Sequence, residues 1–297
     1  MTTPSDSSHL SELKSILIDA VLAGAARVLA VRAAGAVGAR YKDATEVVTE
    51  ADRASDEAML RVFQTRCPAV DPEISFHLEE SGVTGAPGRC RIGADPLDGT
   101  SHFASGGTLY SVQAHYIEDG VPLVGVVFQP EAYRPLEVSD APMGRLVWAV
   151  RGQGAYVQRT ELAGDAFQVG EPRRVAAKPR GVTRNFLACV PITGKMSPAE
   201  RALARRVHDS GLIGGMTGVG GAGGNVLWLI FGGHDVYANF GAGEDLDLAP
   251  PQVIAQEAGL TVWGPDRRPP VWHVRKQPVI VAPSDEIAEL FLRAAGL

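Results

Sequence analysis

Between Leu10 and Val31 the apolar positions Leu10, Leu13, Leu17, Val21, Val28 and Val31 return at helical spacing, which predicts a long helix with one buried stripe. A second helix is predicted from Glu50 to Gln64 in VVTEADRASDEAMLRVF. Thr49 with Asp52 three residues on has the form of a capping box, and Met59, Val62 and Phe63 supply the buried face. The pattern then changes to strands. EISFHLEES predicts one that delivers Glu79 and Glu80 at its end, and CRIGAD one that delivers Asp95. TLYSVQAHYIEDGVPLVGVVFQP divides into two β-rich runs across Asp119-Gly120, a dipeptide suited to a tight hairpin turn. Leu146–Val150 and Ala155–Val157, joined across RGQG, form another pair. The first half therefore reads as helices followed by an antiparallel meander.

The second half alternates. Ser197-Pro198-Ala199-Glu200 places a cap, a first-turn proline and a capping-box acid in order, predicting a helix to about His208. NVLWLIFGG reads as a buried helix closed by glycine, and DVYANF as a strand. LDLAPPQVIAQEAG predicts a helix with its prolines in the first turn and Gly259 as its stop, and PVIVA with SDEIAELFLRAAG closes the chain as strand and helix. Such alternation implies a layered α/β lobe. The seam is expected at Arg173–Gly181, between an N-terminal lobe over 9–172 and a C-terminal lobe over 173–297 that together form one module.

Composition narrows the class. The 297 residues carry 45% hydrophobic and 21% charged positions, enough for a sizeable core, and a formal charge of −6 with no basic run argues against a nucleic-acid polymer as partner. Cys67, Cys90 and Cys189 are scattered, without metal-knuckle spacing, so a reducing cytoplasm is expected. MTTPSDSSHLSEL lacks the basic-then-apolar order of a secretory signal. Ile16–Val31, broken by Asp19 and Arg27, falls short of the roughly 20 apolar residues of a membrane span, so no membrane partner is expected.

The chemistry gathers in GADPLDGTSHF, residues 93–103. Unpaired carboxylates at a buried strand end are costly, and magnesium is commonly held by a few carboxylate oxygens plus substrate phosphate. Glu79, Asp95 and Asp98 offer such a set. Residues three apart on a plain strand point to opposite faces, so Pro96 and Gly99 are expected to bend the chain until both aspartates and the Leu97 carbonyl face one point. Taken by itself Asp52 reads as a capping-box acid, and Asp247 as a helix cap ahead of the proline pair. Glu80 and Asp245 read as solvated or supporting acids, and His77 as structural. Gly218-x-Gly220-x-x-Gly223 satisfies a dinucleotide-loop pattern, but HDSGLIGGM before it is not a convincing strand and no acid stands near the expected offset of about 20 residues.

These motifs resemble those of the inositol monophosphatase-like family of magnesium-dependent, lithium-sensitive phosphatases. Asp95 to Thr100 matches its Asp-Pro-Ile/Leu-Asp-Gly-Thr signature, Glu79 to Ser81 its Glu-Glu-Ser, Val48 to Asp52 its Val-Thr-x-x-Asp, and Leu246-Asp247 its late Trp-Asp ahead of Glu257-Ala258-Gly259. The resemblance implies a mixed α+β and α/β fold, the five-layer αβαβα sandwich of sugar-phosphatase-like proteins, often homodimeric. It implies two magnesium ions, or three: one on Glu79, Asp95 and the Leu97 carbonyl, a second on Asp95, Asp98 and Asp247. Thr100 and Asp52 resemble the pair that orients and deprotonates the attacking water, with Glu80 nearby. The N–H groups of Gly99, Thr100 and Ser101 would receive the phosphate of a small phosphorylated metabolite, and Gly221, Ala222 and Asn239 would line the substrate rim.

The chain departs from the family pattern at that rim: His102 follows Asp-Gly-Thr-x where asparagine is usual, Thr217-x-x-Gly220-Gly221 replaces Arg-x-x-Gly-Ser, and Asn239 stands about where an acid reads a polyol. Hydrolysis of a sugar, cyclitol or polyol phosphate is the expectation. The alternatives are a 3'(2'),5'-bisphosphate nucleotidase acting on 3'-phosphoadenosine 5'-phosphate and a non-catalytic phosphate-ligand binding protein of the same fold.

Overall fold

The computed structural model describes residues 7–41, 47–86, 88–132, 143–218, 220–241, 243–273 and 276–297. The first half comprises α1 (Ser7–Ala33), β1 (Arg40–Tyr41), β2 (Val47–Val48), α2 (Glu50–Arg66), β3 (Ser75–Leu78), β4 (Gly82–Thr84), β5 (Cys90–Asp98), α3 (Thr100–Ala104), β6 (Ser111–Glu118), β7 (Val121–Gln129), β8 (Met143–Val150), β9 (Gly154–Ala163), β10 (Ala166–Val169) and β11 (Arg173–Val175). The second comprises β12 (Phe186–Cys189), α4 (Pro198–Asp209), β13 (Ile213–Met216), α5 (Ala222–Ile230), β14 (Val236–Asn239), α6 (Asp245–Glu257), β15 (Thr261–Trp263), β16 (Val279–Ala282) and α7 (Asp285–Ala295).

Five layers result. Helices α1 and α2 cover one face of a sheet ordered β10-β9-β8-β7-β6-β5-β3-β4, with β11 paired to β9. Helices α5 and α6 fill the space between its other face and a second sheet ordered β13-β12-β14-β16-β15, and α7 with α4 closes the far side. Alternation along the strands divides the faces. Ile92 and Ala94 of β5 and Val112, Ala114 and Tyr116 of β6 join the core under α1 and α2. Val127, Val147, Val226, Leu248 and Ile254 pack around the middle helices, and Phe186, Ile280, Phe291 and Leu292 under the outer pair.

Most expected elements are present, with informative differences. The Asp119-Gly120 hairpin forms with both residues at positive φ, 49° and 77°, as a type I′ turn requires. The meander is not wholly antiparallel, because β3 runs parallel to β5, which sets the ends of both strands side by side. Ile213–Met216, within the stretch that reads poorly as a strand, is β13, recruited by parallel pairing with β12. Helix α6 begins at Asp245, so Pro250 and Pro251 lie inside it rather than in its first turn. No helix among the described residues is long and apolar enough to cross a membrane.

Candidate active site

Strand β5 carries the acidic turn. Asp95 pairs with Gln113 of β6 and Asp98 with Ser111, so three steps on one strand oppose two on the other. That extra residue is a bulge, and it turns the two aspartates to one side. The Leu97 N–H closes the turn onto Asp95 Oδ1 at 2.9 Å. Gly99 follows at φ 97°, and a Cβ there would lie 2.9 Å from the Gly221 nitrogen, so the turn and the start of α5 meet backbone to backbone.

Carboxylate oxygens of Asp95, Asp98 and Asp247 all lie within 4.8 Å of one another. Each is held by its own element. Asp98 accepts hydrogen bonds from Ser111 Oγ and from the Ala222 and Gly223 N–H groups at the start of α5, each at 2.9 Å. Asp247 accepts the Glu244 N–H at 2.6 Å, so the cap reading of this residue and its place in the cluster hold together. Burial, joined by repulsion from Glu79, Asp98 and Asp247, holds the Asp95 carboxyl well above the usual carboxylate range. Burial pushes Asp247 to about 8, with repulsion from Asp98 adding to it. Burial also pushes Asp98 up to about 6, against the opposing pull of its hydrogen bonds. Three crowded oxygen donors that resist ionising together fit a hard divalent cation, which would supply the missing positive charge. Glu79 lines the same cleft, as does Leu97, whose carbonyl oxygen lies 2.9 Å from Thr100 Oγ1.

Behind this cluster stands α2. Its buried residues Ala51, Asp52, Ser55, Asp56, Met59 and Phe63 make one stripe, polar in its first turns and apolar beyond. Asp52 uses its two carboxylate oxygens separately. Oδ2 accepts the Thr49 N–H at 2.7 Å and Oγ1 at 2.6 Å as a capping box, while Oδ1 accepts Thr100 Oγ1 at 2.9 Å. Burial raises its pKa against these hydrogen bonds. Ser55 Oγ donates to the Pro96 carbonyl at 2.8 Å. Asp56, absent from the residues singled out above, accepts the Glu80 and Ser81 N–H groups and the Ser81 hydroxyl, and so fixes the loop that carries Glu79. Its signal in the sequence is its place on the Met59–Phe63 stripe.

The cleft in front measures about 580 Å³ and is lined by Thr100, Ser101, Gly99, Gly221, Ala222 and Asn239 together with the metal-site residues, His102 and Lys195. Asp52 reaches it through Thr100, and Glu80 is not among the described residues that line it. Asn239 is tied into its own loop: Oδ1 accepts the Gly241 and Gly243 N–H groups and Nδ2 donates to Tyr237 Oη. Ala222 likewise has its N–H engaged by Asp98. The glycine-rich loop is shaped for that contact rather than for a dinucleotide, since a Cβ on Gly221 would lie 1.8 Å from Asp98 Oδ1. Asp245 is buried rather than solvated, bonded to Arg91 at 2.6 Å with His77 4.0 Å away, an ion pair behind the cleft that local sequence does not announce.

The fold and the cluster define a layered sandwich with a group of three carboxylates, able to hold a cation, at the junction of its sheet and middle helices. The inositol monophosphatase family model matches residues 9–296, and the chain belongs to that family. An inositol-1-monophosphatase of Synechocystis sp. is 33% identical over 147 residues, 48% of this chain and 49% of that one. The Nus factor SuhB of Pasteurella multocida is 31% identical over 140 residues, 44% of this chain and 47% of that one. The matched region thus spans about half the length of these curated relatives. The crystal structure of the extragenic suppressor protein suhB from Bartonella henselae superposes with a TM-score of 0.73 at 20% identity, covering 95% of this chain and 98% of that one, which bears out the five-layer fold.

Proposed function

We propose that this chain hydrolyses a small phosphomonoester, a sugar, cyclitol or polyol phosphate, with magnesium held by Glu79, Asp95, the Leu97 carbonyl, Asp98 and Asp247. The carrying observation is the convergence in one cleft of the three aspartates and Thr100, whose hydroxyl is bonded to Asp52 behind it. Magnesium bound there, as two ions or three, supplies charge neutralisation for the phosphate and acidifies the attacking water. Thr100 donates its single hydroxyl proton to Asp52 Oδ1, which leaves its lone pairs to accept an O–H of that water, and Asp52 is the base at the end of the relay. The buried Thr49 hydrogen bonds keep the Asp52 carboxylate in place while it works. The N–H groups of Gly99, Thr100 and Ser101 and the rim residues Gly221, Ala222 and Asn239 face the ester. Water adds to phosphorus, the P–O ester bond breaks, and the products are an alcohol and inorganic phosphate. Lithium sensitivity, a homodimer and a cytoplasmic setting belong to the same reading, on family resemblance.

The test is phosphate release from inositol 1-phosphate, fructose 1,6-bisphosphate, histidinol phosphate, glycerol phosphates and 3'-phosphoadenosine 5'-phosphate, with magnesium, and with added lithium. Asp98→Asn is expected to lower magnesium-dependent release by about a hundredfold or more, since even residues behind a metal site commonly matter by about 10–100-fold. Intact turnover in that variant would overturn the metal assignment. A folded, magnesium-binding protein silent on every ester would mark a binding protein instead.

A further inference from the structure

We propose that Gln113 is the positioning residue that holds α6, and with it the Asp247 carboxylate, in register with Asp95 and Asp98. This rests on the reading of those three aspartates as a divalent-cation site. In an unbroken helix the N–H groups of residues 250 and 251 would bond the carbonyls of Leu246 and Asp247. Both positions are proline, so neither N–H exists and the ring of each crowds the carbonyl four residues back. Two carbonyls in the first turn, one of them belonging to a metal-site aspartate, thus lack their helical partners in a buried setting.

Gln113 supplies both bonds from another element: Nε2 donates to the Leu246 carbonyl and to the Asp247 carbonyl, each at 3.2 Å. Since both partners can only accept, the amide orientation is settled by the two bonds. The residue is wholly buried. It also stands opposite Asp95 in the β5–β6 register, and a Cβ on Gly223, whose N–H holds Asp98, would lie 2.2 Å from Gln113 Oε1. One side chain therefore touches the helix of Asp247, neighbours the strand of Asp95 and abuts the helix start that fixes Asp98. The helix is seated firmly on that face, for the Pro250 carbonyl lies 2.2 Å from where a Gly125 Cβ would be.

The experiment is a double-mutant cycle read by Mn2+ binding in calorimetry, with apo-protein stability measured alongside. Gln113→Leu removes the donor at similar volume, and Pro250→Ala with Pro251→Ala restores the two backbone N–H groups. Gln113→Leu alone is expected to weaken Mn2+ binding about tenfold or more. In the double-alanine background the same change should cost less than about twofold, because the carbonyls have recovered their helical partners. An equal loss in both backgrounds, or no loss in either, overturns the proposal. If Gln113→Leu alone does not fold, a folded triple variant with native Mn2+ affinity supports it, and an unfolded triple variant overturns it. A wild-type protein that binds no Mn2+ would remove the cation-site reading and this inference with it, whereas wild-type binding unaffected by Gln113→Leu removes this inference alone.

Discussion

At the scale of single residues, the site reuses groups that already stabilise local structure. Asp52 caps α2 through one oxygen and serves Thr100 through the other, and Asp247 closes the start of α6 while turning toward Asp98. Such double use separates catalytic from structural effects. Thr100→Val keeps the shape and leaves Asp52 its Thr49 bonds, so stability should move little while kcat falls by about 10²–10⁴, the usual worth of a positioned proton acceptor. Steady-state kinetics with magnesium titrated separately would check this, and an unchanged kcat would remove Thr100 from the relay. Asp56 predicts the reverse balance. In Asp56→Ala two backbone N–H groups and a hydroxyl lose their shared acceptor, which should cost about 1–3 kcal/mol in denaturant unfolding. The loop bearing Glu79 should loosen with it, so magnesium affinity falls as well.

At the scale of elements, α6 decides how closely the middle layer approaches the first sheet. Gly125→Ala would drive a methyl group toward the Pro250 carbonyl and should destabilise by about 1–3 kcal/mol, with part of the effect in metal affinity because Asp247 rides on that helix. Loss of stability at unchanged Mn2+ affinity would show that the first turn of α6 is held independently of its seat. The same helix shows what could be read in advance. The capping boxes of α2 and α4 were legible because their partners lie three residues apart. The Asp95–Asp98 turn was legible because Pro96 and Gly99 are local causes of a bend. The interior prolines of α6 were not, since what tolerates them is Gln113, 133 residues from Leu246 in sequence. Asp245 was hidden for the same reason, its partner Arg91 lying 154 residues away. Strand β13 has weak propensity of its own and exists through pairing with β12. Gly221, Ala222 and Asn239 line the cleft, and the hydrogen bonds that tie Ala222 to Asp98 and Asn239 to the Gly241 and Gly243 N–H groups depend on packing that no short motif encodes.

At the scale of the whole molecule, the site joins three layers: Asp52 comes from the outer helices, Asp95 and Asp98 from the first sheet, and Asp247 from the middle helices. Anything that opens the layers therefore opens the site, and acid provides a specific route. His115, between the first sheet and α6, and His234, beside Trp228 of α5, are buried with neither ring nitrogen hydrogen-bonded. Burial holds the His115 pKa well below the usual histidine value, with Arg91 and His77 adding to the effect. Burial lowers His234 to about 4, against the pull of Asp235. A neutral buried histidine binds no proton in the folded chain while the unfolded chain takes one up below about pH 6.5, so stability falls with pH between the two values, by about 1.4 kcal/mol per unit for each such group. The buried carboxylates titrate in the opposite sense, which makes the difference between two proteins the informative quantity. His234→Phe keeps the ring contact with Trp228 and removes the titration. Its stability relative to wild type, from urea unfolding at pH 7, 6 and 5, should rise progressively below about pH 6.5, and a difference that stays constant with pH would mean that His234 takes up its proton in the folded protein as readily as in the unfolded chain.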